Sequence, residues 1–97
     1  MDHKIFPEIT FSTPFQIAKT TIKNRFFKSA MSEQLGDKNH NPTPGLCRLY
    51  SRWAEGGTGL LVTGNVMIDP SALGEPKNVV LDQSSNLELF KQWSKAA

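Results

Sequence analysis

The segment from Thr43 to Gly57 constrains this chain more than any other. Leu46, Leu49, Tyr50, Trp53 and Ala54 recur at helical spacing and make one apolar stripe, while Arg48, Ser51, Arg52 and Glu55 face the other way. Thr43 suits the N-cap, and Pro44 suits the first helical position, where its missing N–H loses nothing. Gly56-Gly57 supplies the left-handed residue that ends such a helix. Apolar runs lie on both sides, Arg25 to Met31 before it and Gly59-Leu60-Leu61-Val62-Thr63-Gly64 after it. The second run has no polar alternation, which predicts a strand covered on both faces. Two strands joined through a helix form a right-handed βαβ unit with its strands parallel.

Around this unit the chain reads as smaller pieces. Phe15-Gln16-Ile17 and Thr21-Ile22-Lys23, turning at Ala18-Lys19-Thr20, predict a hairpin at about 14–23. Gly36 to Pro42 is polar and turn-rich, a loop. Residues 65–84 carry Pro70, Gly74 and Pro76 and form a long excursion with one short extended piece at Val79-Val80-Leu81. Ser85-Asn86-Leu87-Glu88 has capping-box spacing, and Leu87, Phe90, Trp93 and Ala97 begin a second amphipathic helix. A two-stranded parallel sheet cannot cover itself, and both its edges are open to further pairing. The expectation is an incomplete α/β unit.

Composition removes several classes of function. The 97 residues are 38% hydrophobic and 21% charged with a net charge of +2, and the eleven Lys and Arg are scattered. Neither a nucleic-acid nor a membrane partner is expected, and MDHKIFPEIT has no signal-peptide apolar stretch. A cytoplasmic location is the default. Cys47 is the single cysteine, so there is no internal disulfide and no metal site is expected; it reads as a buried, inert thiol. His40 reads as solvent-exposed in its loop, and His3 sits near the terminus. Asp69, Glu75 and Asp82 are separated, with nothing to pair them for acid–base work. Trp53 and Trp93 are expected to close the core between helices and sheet. Gly56, Gly57 and Gly59 lie between a helix end and a strand start and lack the lysine of a phosphate loop.

The strand ends carry the chemistry. In α/β folds, ligands gather at the carboxyl ends of parallel strands. Here those ends are Ser29-Ala30-Met31-Ser32 and Thr63-Gly64-Asn65, and both lose bulk where the strand emerges. Small residues also ease a turn, and residue types alone leave both readings open.

Lys23-Asn24-Arg25 before a strand ending in Ala30-Met31 is one part of a larger pattern. Leu49-Tyr50-Ser51-Arg52-Trp53-Ala54-Glu55-Gly56-Gly57-Thr58-Gly59-Leu60-Leu61-Val62-Thr63-Gly64 is the other. Together, with Ile5-Phe6-Pro7 and the hairpin, they resemble the N-terminal part of the Old Yellow Enzyme family of NADH:flavin oxidoreductases over nearly the whole chain. The resemblance implies that residues 1–97 are part of one FMN-binding (β/α)8 TIM barrel, the hairpin capping its bottom and two βα units following. It implies FMN across the barrel mouth, NADH or NADPH as electron donor, and an activated, enone-like alkene as substrate. Ala30 and Gly64 would let backbone approach the flavin, and the Gly64 N–H would face its O4/N5 edge. Met31 would pack on the ring, Ser32 would donate to O4, and Ser29 would add a backbone contact. Gln34 stands where some relatives place an aromatic that meets substrate.

Other parts of the family's machinery do not fall within these residues. The substrate-gripping pair, the tyrosine proton donor and the phosphate loops follow later strands, and a full barrel needs about 250 residues. No catalytic residue is therefore assigned here, and the 97 residues alone are expected to be inactive. The alternative is a non-enzymatic barrel piece that self-associates through its open strand edges, and a homo-oligomer fits either reading.

Overall fold

Helix α1 occupies Pro44–Glu55, and its ends are built as the local sequence dictates. The Thr43 hydroxyl accepts the Leu46 N–H at 3.2 Å and itself donates to the Leu35 carbonyl at 2.6 Å. Gly57, at φ 97°, is the left-handed residue beyond the helix end. This is a computed structural model describing residues 8–97, so the expectations placed on His3 and on Ile5-Phe6-Pro7 lie outside the described residues.

Before α1 come β1 (Phe15–Ile17), β2 (Thr20–Ile22) and β3 (Phe27–Lys28). After it come β4 (Leu60–Leu61), β5 (Val66–Met67), β6 (Val79–Val80) and α2 (Leu87–Ala96). β1 and β2 pair antiparallel with Ile17 opposite Thr20, so the loop is two residues, one shorter than expected. Ala18 takes the left-handed φ of 51° that so tight a turn demands. β3 and β4 pair parallel, Phe27 opposite Leu60 and Lys28 opposite Leu61. The βαβ unit is present.

Several expectations need correction. The expected strands Arg25–Met31 and Gly59–Gly64 shrink to two residues each, because each has only the other as neighbour among the described residues. Nor is β4 covered on both faces. Lys28 and Leu61 point toward α1, while Phe27 and Leu60 stay 58% and 38% exposed over an open apolar hollow of about 290 Å³ shared with the hairpin's Phe15, Ile17 and Ile22. Residues 65–84 hold a second parallel pair, β5 with β6, because Val66 found a partner in Val79 that its own neighbours do not announce. Helix α2 is capped by Asn86, whose Oδ1 accepts from the Glu88 and Leu89 amides. Ser85 instead donates to the Val80 carbonyl, and Leu87 is 61% exposed and outside the buried stripe.

The core lies where α1, α2 and β6 meet, around Leu46, Tyr50, Val79 and Trp93, with Trp53 half-buried at its edge. Tyr50 meets Trp53 and Trp93 edge-on at centroid distances of 5.1 and 5.4 Å, an arrangement worth about 0.5–1.5 kcal/mol per pair beyond area burial. The radius of gyration is 17.2 Å, against about 13 Å for a compact chain of this size. The structure is open and elongated.

The two halves of the sequence pattern touch. The Asn24 side-chain amide donates to the Gly57 carbonyl at 2.6 Å. A Cβ on Gly59 would run into Asn24 Oδ1 and lie 2.9 Å from its carbonyl oxygen. Only glycine fits there. Arg25 donates to the Thr13 and Pro14 carbonyls and stacks on Phe15 at 4.8 Å, tying the hairpin segment to the root of β3.

Among the described residues, no helix is long and apolar enough to cross a membrane, and no three His, Cys, Asp or Glu cluster as metal ligands.

Candidate functional site

The ends of β3 and β4 come together at Gly64. The βαβ crossover sets both strand ends on one edge of the parallel pair, and the chain beyond Lys28 folds against Gly64. A Cβ there would collide with the Met31 carbonyl oxygen and stand 2.5 Å from Glu33 Oε1. The close approach that demands glycine is thus made by this chain's own backbone. Gly64 is buried; Ser29, Ala30 and Ser32 are exposed, and Met31 is half exposed. Of the five expected residues, Met31 meets Gly64 through its backbone, and Ser29, Ala30 and Ser32 are exposed beside Met31 in the chain; this low strand end is the ledge.

Beneath the ledge runs a hydrogen-bonded chain that the residue types alone did not reveal. The Lys28 ammonium donates to the Tyr50 hydroxyl at 3.4 Å and to the Val62 carbonyl. It sits 5.2 and 4.8 Å from the ring centroids of Tyr50 and Trp53. The Tyr50 hydroxyl donates to Glu33 Oε2, and the same oxygen accepts the Gly64 N–H at 3.0 Å. The Gly64 amide expected at a flavin edge is therefore engaged by Glu33 in this structure. Burial, then the hydrogen bond to Glu33 and its charge, push the Tyr50 phenol far above its ordinary range, so it stays a donor. The signals were Lys28 within an otherwise apolar strand and a tyrosine inside an apolar helical stripe.

The neighbouring loops close over the same edge. Gln34, at a left-handed φ of 55°, donates to Glu75 Oε2 at 2.7 Å, and Asn65 donates to Glu75 Oε1 at 3.4 Å. Of Asp69, Glu75 and Asp82, Glu75 is thus the one that bridges Gln34 and Asn65, beyond the two strand ends. Asp69 is pulled below the usual carboxylate range by the Ser71 N–H and hydroxyl, a local turn on the surface. His40 is half-buried rather than solvent-exposed: its carbonyl accepts the Val80 N–H at 2.8 Å and its Nδ1 is buried without a partner, because β6 packs along its loop. Cys47 is partly buried against the core, as a structural thiol would be.

No family model matches the chain. In sequence it is 35% identical over 78 residues to the NADH-dependent flavin oxidoreductase iliE of Hypocrea jecorina, a match covering 79% of this chain and 20% of that protein. It is 33% identical over 92 residues to the NADH-dependent flavin oxidoreductase nadA of Aspergillus parasiticus, covering 86% of this chain and 21% of that one. The chain thus spans about a fifth of the length of these curated relatives. In fold it is similar to the Old Yellow Enzyme homologue NCR of Zymomonas mobilis, with a TM-score of 0.79 at 21% identity over 90% of this chain and 24% of that one. These likenesses converge: the chain is a relative, over part of their length, of the NADH-dependent flavin oxidoreductases in sequence and is similar to the Old Yellow Enzyme homologues in fold.

Proposed function

We propose that this chain forms part of an FMN-dependent oxidoreductase of the Old Yellow Enzyme type, which takes hydride from NADH or NADPH and reduces the C=C bond of an activated alkene. The observation that carries this reading is the ledge at Gly64, where two strand ends meet backbone to backbone and leave Ser29, Ala30, Met31 and Ser32 exposed. Such a floor fits a flat, wide cofactor. Ala30 lets backbone approach it, Met31 offers a polarizable side chain for packing, and Ser32 offers a hydroxyl donor. When bound, FMN supplies the two-electron chemistry; the chain's residues bind it and place donors where negative charge collects on reduction. A (β/α)8 barrel closed by further strands, a cap formed by the hairpin and a cytoplasmic location belong to the same proposal.

A second reading draws on the open apolar face. Phe15, Ile17, Phe26 and Phe27 are each between 42% and 58% exposed, so this face also suits self-association of a non-enzymatic barrel piece. Purification of the protein expressed from its own gene separates the two. Yellow absorbance that persists, bleaches with NADH and returns with an enone supports the oxidoreductase; a colourless multimer supports the second reading.

A further inference from the structure

The chain Lys28–Tyr50–Glu33–Gly64 joins a cation in an aromatic corner to a backbone amide at the ledge. Its geometry is more specific than a salt link. Glu33 and Lys28 share the Tyr50 hydroxyl, which accepts from one and donates to the other, so the phenol sits between their charges. Tyr50 is 1% exposed, and its ring is held edge-on by two tryptophans, which leaves the hydroxyl little freedom to move. The Glu33 carboxylate is therefore anchored from below by a fixed donor and capped from above by the Gly64 N–H at 3.0 Å. It follows Ser32 directly in the chain, and its Oε1 lies in the space that a side chain at 64 would need.

We propose that Glu33 is a positioning residue of the ledge, which holds Gly64 against Met31 and sets a fixed negative charge beside the strand ends. This rests on the flavin reading above. A held carboxylate opposes the arrival of electrons nearby, so Glu33 tunes the bound flavin toward its oxidised form without touching it. Tyr50 donates to that carboxylate and partly offsets its charge.

Two measurements test the inference. Tyr50 is the single tyrosine, so ultraviolet titration of phenolate reports this hydroxyl alone. In Glu33→Gln the anionic acceptor is gone, and Tyr50 should ionise at lower pH than in the unaltered chain; an unchanged titration overturns the chain of contacts. In the flavin-loaded protein, Glu33→Gln should shift the balance toward reduced flavin about tenfold, a midpoint about 30 mV higher for a two-electron couple. Tyr50→Phe removes the donor that partly offsets the carboxylate and should move the midpoint the other way. Opposite shifts support the proposal, whereas equal shifts or none mean Glu33 is merely structural and overturn it. Unaltered protein that takes no flavin overturns the flavin reading, and this inference with it.

Discussion

Gly64→Ala is the sharpest perturbation of the ledge. The new Cβ would collide with the Met31 carbonyl oxygen and stand 2.9 Å from the Met31 carbonyl carbon, both backbone atoms that cannot rotate aside. Forcing extra volume into a packed site costs about 1–3 kcal/mol. Relief requires the two strand ends to part, which stretches the Gly64 N–H···Glu33 bond, and a hydrogen bond to a charged group is worth about 1.5–3 kcal/mol. The two effects share one displacement and do not fully add, so a loss of about 3 kcal/mol is expected. Urea unfolding followed by the fluorescence of Trp53 and Trp93 reads it. With a slope of about 1.5–2 kcal/mol/M the midpoint should fall by about 1.5–2 M. A shift below about 0.5 M would refute the reasoning, because the strand ends would then tolerate a side chain between them.

Three further outcomes follow from other sites. Gly45→Ala should stabilise the chain by about 0.5–1 kcal/mol in the same assay, because the added Cβ meets only the Thr43 hydroxyl, at 3.7 Å, within a helical turn. The raised Tyr50 phenol gives stability that is full below its ordinary value of 10.0 and is lost as pH rises above it toward the folded value. Alkaline unfolding should accordingly be less steep in Tyr50→Phe, as circular dichroism against pH would show. Ser32→Ala should lower the midpoint potential of bound flavin by about 20 mV, since losing a donor of about 1 kcal/mol differential worth falls mainly on the reduced form. Potentiometric titration checks this, and an unchanged or higher midpoint would remove Ser32 from the flavin site.

What the sequence disclosed follows the range of the forces involved. Helix α1 was legible to the residue because its determinants are local: a hydroxyl three positions from the amide it caps, an apolar repeat, and a glycine at a positive φ. The hairpin was legible with its turn one residue too long, since alternation marks strands better than it marks the shortest loop that Ala18 can make. The second cap was misplaced by one residue because Ser85 and Asn86 both have capping side chains, and only the tertiary pull of the Val80 carbonyl on Ser85 decides between them. Glu33 was invisible for the opposite reason. Its partners Tyr50 and Gly64 stand 17 and 31 positions away, and nothing in Ser32-Glu33-Gln34 distinguishes a solvated carboxylate from an anchored one. The ledge itself could be read from its loss of bulk, but the cause of glycine at 64 could not, because it is the Met31 backbone.

The flavin floor can be tested on the chain directly. FMN titrated into isotope-labelled chain, with amide resonances followed by NMR, reports even weak binding residue by residue. The prediction is that shifts concentrate at Ser29, Ala30, Met31, Ser32 and Gly64, and that Ser32→Ala diminishes them. Shifts confined to the apolar hollow of Phe15, Ile17 and Phe27, or no shift at any concentration, would contradict it.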